Sequence, residues 1–135
     1  YSESKREVKF GHSRLDIYLS GHADDPRPCF VEVKNVTLVE GKRALFPDAV
    51  TVRGLKHLHS LIDIVQAGHR AVQFFLVQRL DCSEFAPAWS VDKAYSEGLL
   101  RAKENGVEVI AWQVRMNPHA LALEREIPAI LEAPR

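Results

Sequence analysis

The sequence predicts an α/β fold in which a mixed central sheet is flanked by helices, and three observations carry that expectation. Residues 70–78, Arg-Ala-Val-Gln-Phe-Phe-Leu-Val-Gln, are nearly continuous apolar sequence, as a central strand covered on both faces requires. That run is preceded by one segment with helical periodicity and followed by another, then by a further strand-like run, which is the alternation of a parallel arrangement. Finally, Cys29 to Leu38 reads Cys-Phe-Val-Glu-Val-Lys-Asn-Val-Thr-Leu, rich in β-branched and aromatic residues. Its Glu32 and Lys34 lie two places apart and share one face of a strand, while Val31 and Val33 point the other way into a core.

Taken in order, residues 5–10 are short, mixed and closed by Gly11, which fits an edge strand. In Ser13 to Ser20, Leu15, Ile17 and Leu19 alternate with Asp16 and Tyr18, so one face is apolar and the other carries Asp16 with Arg14. Asp24-Asp25-Pro26 marks the turn that returns the chain into the Glu32 strand, and the three runs make an antiparallel meander. Thr37 to Phe46 holds Gly41 and three charges without periodicity and is expected as a loop. Pro47-Asp48 supplies a breaker and a cap. Val52, Leu55, Leu58, Leu61, Ile62 and Val65 then recur at three- to four-residue steps until Gly68, giving a helix whose opposite, solvated face carries Arg53, Lys56, His57 and Ser60. Asp81 to Pro87 is a connector, and Ser90 caps a helix over 91–105 closed by Gly106. A strand follows over 107–114. Pro118 breaks the chain, and 120–130 fits strand or helix packed on an edge.

A chain of 135 residues with 46% hydrophobic content is one domain's worth, so 1–135 is expected to be a single compact unit. The opening Tyr-Ser-Glu-Ser-Lys-Arg-Glu is no targeting signal, and the chain is expected to start inside a longer protein. No apolar run approaches the roughly 20 residues of a membrane span, so a soluble protein with no membrane partner is expected. Two cysteines without Cys-x-x-Cys spacing exclude a zinc site or disulfide framework and suit a reducing cytoplasm. Zero net charge excludes a uniformly basic nucleic-acid binder, so phosphate contacts would need a local patch. Residues 1–60 hold ten Lys and Arg against eight acids.

An unpaired charge on a buried strand costs several kcal/mol, so Glu32 and Lys34 need partners on their face. The upstream acid Asp16 supplies one. An Asp followed by Glu-x-Lys on the neighbouring strand is the layout of metal-dependent nucleases of the restriction-endonuclease type, the PD-(D/E)xK pattern. Glu-x-Lys occurs four times here, at Glu3, Glu7, Glu32 and Glu40, and only the triplet at Glu32 lies in an apolar strand that follows another carrying an acid. Asp16 and Glu32 then offer hard oxygen ligands to Mg2+ or Mn2+, with Lys34 orienting water or offsetting developing charge. Other chemistries fall away. His57 and His59 lie two apart on a helix, no Gly-x-Ser-x-Gly or Gly-rich phosphate loop exists, and His12, His22, His69 and His119 fall at element ends. Trp112, in an apolar strand, belongs to the core, and both cysteines fit as small core residues.

Ser13-Arg14-Leu15-Asp16, Phe30 to Leu38, and Phe46 to Leu58 together resemble the sugar fermentation stimulation protein A family, SfsA, and so do Phe85-Ala86-Pro87-Ala88 and Gly106-Val107-Glu108-Val109. The resemblance implies a restriction-endonuclease-like domain that follows an oligonucleotide-binding-like barrel outside this sequence, DNA binding, and a role in regulating sugar, chiefly maltose, utilisation. It places Asp16, Glu32 and Lys34 on the nuclease motif and Arg14, Thr51, Arg53, Lys56 and His57 on family motifs. An acid from the preceding helix would be missing, with Glu7 the nearby substitute. Three functions follow: a metal-dependent phosphodiesterase acting on DNA, a non-catalytic DNA-binding module whose cationic residues are Arg14, Lys34, Arg53 and Lys56, and a protein-interaction domain. The last leaves Asp16, Glu32 and Lys34 without purpose. Folds of this type often dimerise to cut two strands, so a homodimer joins DNA among the expected partners.

Overall fold

The computed structural model describes residues 1–117 and 119–134; the expected break at Pro118 lies outside the described residues. Strands β1 (Glu3–Phe10), β2 (Ser13–Ser20) and β3 (Cys29–Val36) form the antiparallel meander that their alternation predicts. Helix α1 (Val52–Gln66) leads into β6 (Arg70–Val77), and α2 (Lys93–Glu104) leads into β8 (Glu108–Met116). Strand β6 pairs in parallel with β3 on one side and β8 on the other, and β9 (Leu121–Ile127) closes the far edge antiparallel to β8. The order is β1-β2-β3-β6-β8-β9, a mixed sheet with a parallel centre. The ambiguous stretch after residue 120 is therefore an edge strand.

A second sheet of three strands, β4 (Leu38–Glu40), β5 (Arg43–Phe46) and β7 (Glu84–Pro87), replaces the loop expected over 37–46 and part of the connector over 81–87. Strands of three or four residues are too short to show a period of two. Gly41, with φ of 60°, is the first residue of a two-residue hairpin turn between Glu40 and Arg43. Pairing of β5 with β7 sets Phe85 in the core, its ring stacked on Phe75 at 4.2 Å.

Both helices begin later than their sequence signals suggest. Thr51, not Asp48, caps α1 by accepting the Gly54 N–H at 2.9 Å, and Asp92, not Ser90, caps α2. Val52 leaves the expected apolar stripe and is 80% exposed. The buried stripe of α1 runs through Gly54, His57, Leu58, Leu61 and Ile64. The helices meet closely: a Cβ at Gly98 would stand 2.5 Å from Leu55 Cδ1.

The main core lies between the sheet and the helices, centred on Phe75, Phe85, Tyr95, Leu58, Leu61 and Leu99. Leu15 joins it, because residues 13–15 of β2 pair with β1 and not with β3 and lie against α1, where the Ser13 and Ser60 hydroxyls meet. Ile17 and Leu19 face a second, smaller cluster with Cys29, Val31 and Val72, and half-buried Val33 and Phe74 pack on it. Trp112 is half-buried rather than part of the core. Cys29 and Cys82 are free and buried. Among the described residues no helix is long and apolar enough to cross a membrane.

Asp92, 7% exposed, accepts the Tyr95 N–H at its own helix through Oδ1 and the Thr51 N–H, at the cap of α1, through Oδ2 at 2.9 Å. One carboxylate thus fixes both helix N-termini. Asp92→Ala is expected to destabilise the protein by about 3 kcal/mol in urea unfolding, against about 1 for Thr51→Ala, because it strands one buried and one half-buried N–H group. A loss no larger than that of Thr51→Ala would show the two helices to be anchored independently.

Candidate functional site

The antiparallel pairing of β2 with β3 runs Ile17 opposite Val31 and Tyr18 opposite Phe30, which sets Asp16 beside Glu32 on the face toward α1. Asp16 Oδ2 accepts the Val33 N–H at 2.8 Å, and its carboxylate and the Glu32 carboxyl are hydrogen-bonded. Glu32 is only 3% exposed and its Oε2 has no hydrogen-bond partner. His57 reaches down from the inner stripe of α1. Its Nδ1 lies 3.2 Å from Glu32 Oε2 and accepts a hydrogen bond from Lys34 Nζ, also at 3.2 Å. Of the side chains singled out from the sequence, Asp16 and Glu32 are thus paired directly, and Lys34 joins them through His57, which touches both Glu32 and Lys34.

Burial dominates the electrostatics. It pushes the Glu32 carboxyl up to about 8, reinforced by its hydrogen bond with Asp16 and opposed by the Lys34 charge. Burial also works to raise Asp16, but the bonds from Glu32 and the Val33 N–H, with the charges of Lys34 and His57, hold it below the usual carboxylate range. The Lys34 ammonium is lowered by burial against the pull of both acids. His57 is pushed down to about 4 by burial and by the charges of Lys34 and Arg53, so at neutral pH it is an uncharged acceptor for Lys34. The 3.2 Å approach of His57 to Glu32 is accordingly not an ion pair.

Arg14, Arg53, Lys56 and His57 line one cleft of about 560 Å³ together with His12, Ser13 and Val52. Arg14, Arg53 and Lys56 are exposed, as a solvated face predicts, but His57 at 7% exposure is not. The helical period buries it, since His57 follows Gly54 by three and precedes Leu61 by four on the inner stripe. Glu7 is exposed on the edge strand β1, its φ of 54° left-handed. Sequence reasoning also passed over Gln73. Fully buried on β6 directly beside Glu32, it donates from Nε2 to the Glu32 main-chain oxygen at 3.0 Å, and its Oε1 has no partner. Its signal was an amide inside an otherwise apolar run. His69 is half-buried rather than superficial, its ring against Phe10 and Phe30. Among the described residues no group of three or more His, Cys, Asp and Glu side chains is arranged around a common point, so two carboxylates are the acidic ligands available.

The architecture is that of a mixed α/β domain with a buried acid–base cluster at the edge of a cationic cleft. Residues 1–120 match the family described as "Sugar fermentation stimulation protein RE domain", and the chain belongs to the sugar fermentation stimulation protein family. The sugar fermentation stimulation protein homologue of Geotalea daltonii is 49% identical over 97% of this chain and 56% of its own length. That of Paramagnetospirillum magneticum is 49% identical over 91% of this chain and 52% of its own. The structure of Pyrococcus furiosus SfsA in complex with Ca2+ superposes with a TM-score of 0.85 at 33% identity, covering 93% of this chain and 54% of that one. The chain thus spans about half the length of the relatives it matches.

The raised Glu32 carboxyl links stability to pH. In the unfolded chain this group ionises near 4.5 and in the folded protein near 8, so its contribution is complete below 4.5 and is lost as pH rises toward 8. His57, lowered from 6.5 to about 4, acts in the opposite sense and contributes above 6.5. Urea unfolding of wild type and Glu32→Gln at pH 5, 7 and 8.5 should show the variant gaining on the wild type as pH rises. A difference that stays constant would mean that Glu32 is ionised in the folded protein across that range.

Proposed function

We propose that this chain carries a divalent-metal-dependent phosphodiesterase site for DNA on a restriction-endonuclease-like fold of the PD-(D/E)xK type. The observation that carries the reading is the pair of adjacent-strand carboxyl groups, Asp16 and Glu32, whose buried Glu32 Oε2 has no hydrogen-bond partner. A polar atom left so costs about 1–3 kcal/mol, which a hard cation would recover. Mg2+ or Mn2+ suits the donor set, because Mg2+ is commonly held by one or two carboxylates with water and substrate phosphate completing its shell. The similar Pyrococcus furiosus protein was solved with Ca2+, another oxygen-seeking cation. When bound, such an ion polarises a phosphate oxygen and lowers the pKa of its water.

The protein's own groups then have separable tasks. Asp16, held ionised by the Val33 N–H, offers a fixed negative oxygen. Glu32 releases its proton to become the second ligand, so cation affinity should rise with pH until about 8. Lys34 feels the charge of both acids and is held by its bond to His57 Nδ1, so its remaining N–H groups would be free to meet a water or a phosphate oxygen. Arg53 is in the first turn of α1, where the helix dipole disfavours a cation, and a phosphate at that end would offset the conflict. Arg14 and Lys56 extend the cationic wall.

A second reading, a non-catalytic DNA-binding module of a sugar-utilisation regulator, is favoured by the same cationic cleft and gives the acids a structural role. Either reading places the protein in the cytoplasm with DNA as its partner, and a second copy of the chain would serve the second strand of a duplex.

Three outcomes test this. Calorimetric Mn2+ titration should show affinity falling at least tenfold in Asp16→Ala and in Glu32→Ala; unaltered binding removes the metal site. In plasmid and single-strand cleavage assays, Glu32→Ala should be inactive, and Lys34→Arg should retain DNA affinity without cleavage, since displacement of about 1 Å costs about a hundredfold in rate. Wild-type protein that binds DNA but never cuts it supports the binding module instead. Arg53→Ala and Lys56→Ala should each weaken DNA binding and flatten its salt dependence by about one unit of slope; a slope identical to wild type places the phosphates elsewhere.

A further inference from the structure

The cleft has an apolar component that phosphate binding leaves unexplained. Val52 lines it beside Arg14, Arg53, Lys56 and His57 and is 80% exposed. Val50, on the other side of the cap residue Thr51, is 71% exposed. An apolar residue in the position of Val50 ordinarily packs against the fourth residue of the helix, here Leu55, as a hydrophobic staple; an exposure of 71% shows that it does not. Val52, in the first turn, makes no core contact either, although the helical stripe would admit it. Neither valine is used to fold the helix. Single exposed apolar residues are common and need no explanation, but these two bracket one cap, Val52 in the wall of the cleft and Val50 two residues before it, and His57 in the same wall touches the unpartnered Glu32 oxygen.

Cations beside exposed aliphatic groups match a polyanion that also shows apolar faces. In a duplex the base faces are covered by stacking, and a valine could reach only a thymine methyl in the major groove. In a single strand the faces are free, and side chains that contact them act without sequence preference. A cleft of about 560 Å³ is the size of a small-ligand pocket, which suits a few unpaired nucleotides better than the broad surface a duplex needs. We propose that the cleft binds single-stranded nucleic acid, with Val50 and Val52 against unstacked bases while Arg14, Arg53 and Lys56 hold the phosphates. The inference rests on the phosphodiester reading above and specifies its substrate.

The test is fluorescence anisotropy of the intact protein with a labelled DNA 15-mer, single-stranded and as duplex, in Ca2+ over a salt series. Wild type should bind the single strand more tightly. The double substitution Val50→Thr with Val52→Thr keeps β-branching at the helix start and should lower single-strand affinity about tenfold, leaving duplex affinity, the salt slope and the thermal midpoint unchanged. Val52→Ile should bind like wild type. Equal losses on both DNAs, or no loss on either, overturn the single-strand assignment. If the threonine variant is silent while Arg53→Ala still weakens binding and flattens the slope, the single-strand inference falls and the phosphodiester reading stands; wild-type protein that binds neither DNA ends both.

Discussion

The part of the site that α1 supplies, Arg53, Lys56 and His57, depends on where that helix begins, and that is set by a carboxylate from a different helix. Asp92 accepts backbone N–H groups at two N-termini, one of them buried and the other half-buried, so α1 and α2 are tied together at one end. With its first turn fixed there, α1 delivers Arg53, Lys56 and His57 at known heights above β3. The close approach at Gly98 completes the pairing, since any larger residue would push Leu55 aside. The catalytic reading of Glu32 is thus tied to packing some distance from it.

Much of the main sheet was legible because its strands are long enough for their patterns to register. Alternation in β2 and the helical steps of α1 identify their elements, and the near-continuous apolar run of β6 identifies a central strand, although it is not covered equally on both faces: Phe74 and Leu76 stay half-buried. The small sheet was not legible. Strands of three and four residues carry no periodicity, and β7 owes its existence to a partner forty residues earlier, a pairing that local sequence does not encode. Cap positions shifted for a related reason: Asp48 and Ser90 are good caps in isolation, but one tertiary hydrogen bond, from the Thr51 N–H to Asp92 Oδ2, ties the two cap residues together.

In the site, the grouping of Asp16, Glu32 and Lys34 could be read because antiparallel neighbours with charges on one face leave few arrangements. The state of that group could not. Whether an acid beside a lysine is ionised depends on burial, and burial of Glu32 comes from α1 lying over it. His57 shows the same limit, as a polar residue among Arg53, Lys56 and Ser60 reads as solvent-facing until the stripe is anchored by Gly54. Gln73 was hidden in a run judged by its apolar average, and only the parallel register with β3 shows that its amide supports the Glu32 backbone.

The two cysteines bear on how the domain opens. Cys29, at the start of β3, is 2% exposed near Arg70, and burial raises its thiol above the ordinary range; Cys82, 3% exposed, lies between the two sheets, its carbonyl held by Gln113 and Arg125. They occupy separate neighbourhoods and form no bond to each other. A thiol reagent therefore meets two independent clocks: modification of Cys29 times the parting of β3 from its neighbours, and modification of Cys82 times the release of the segment before β7 from β8 and β9, which lets partial unfolding of either region be followed in the native protein without any added label site.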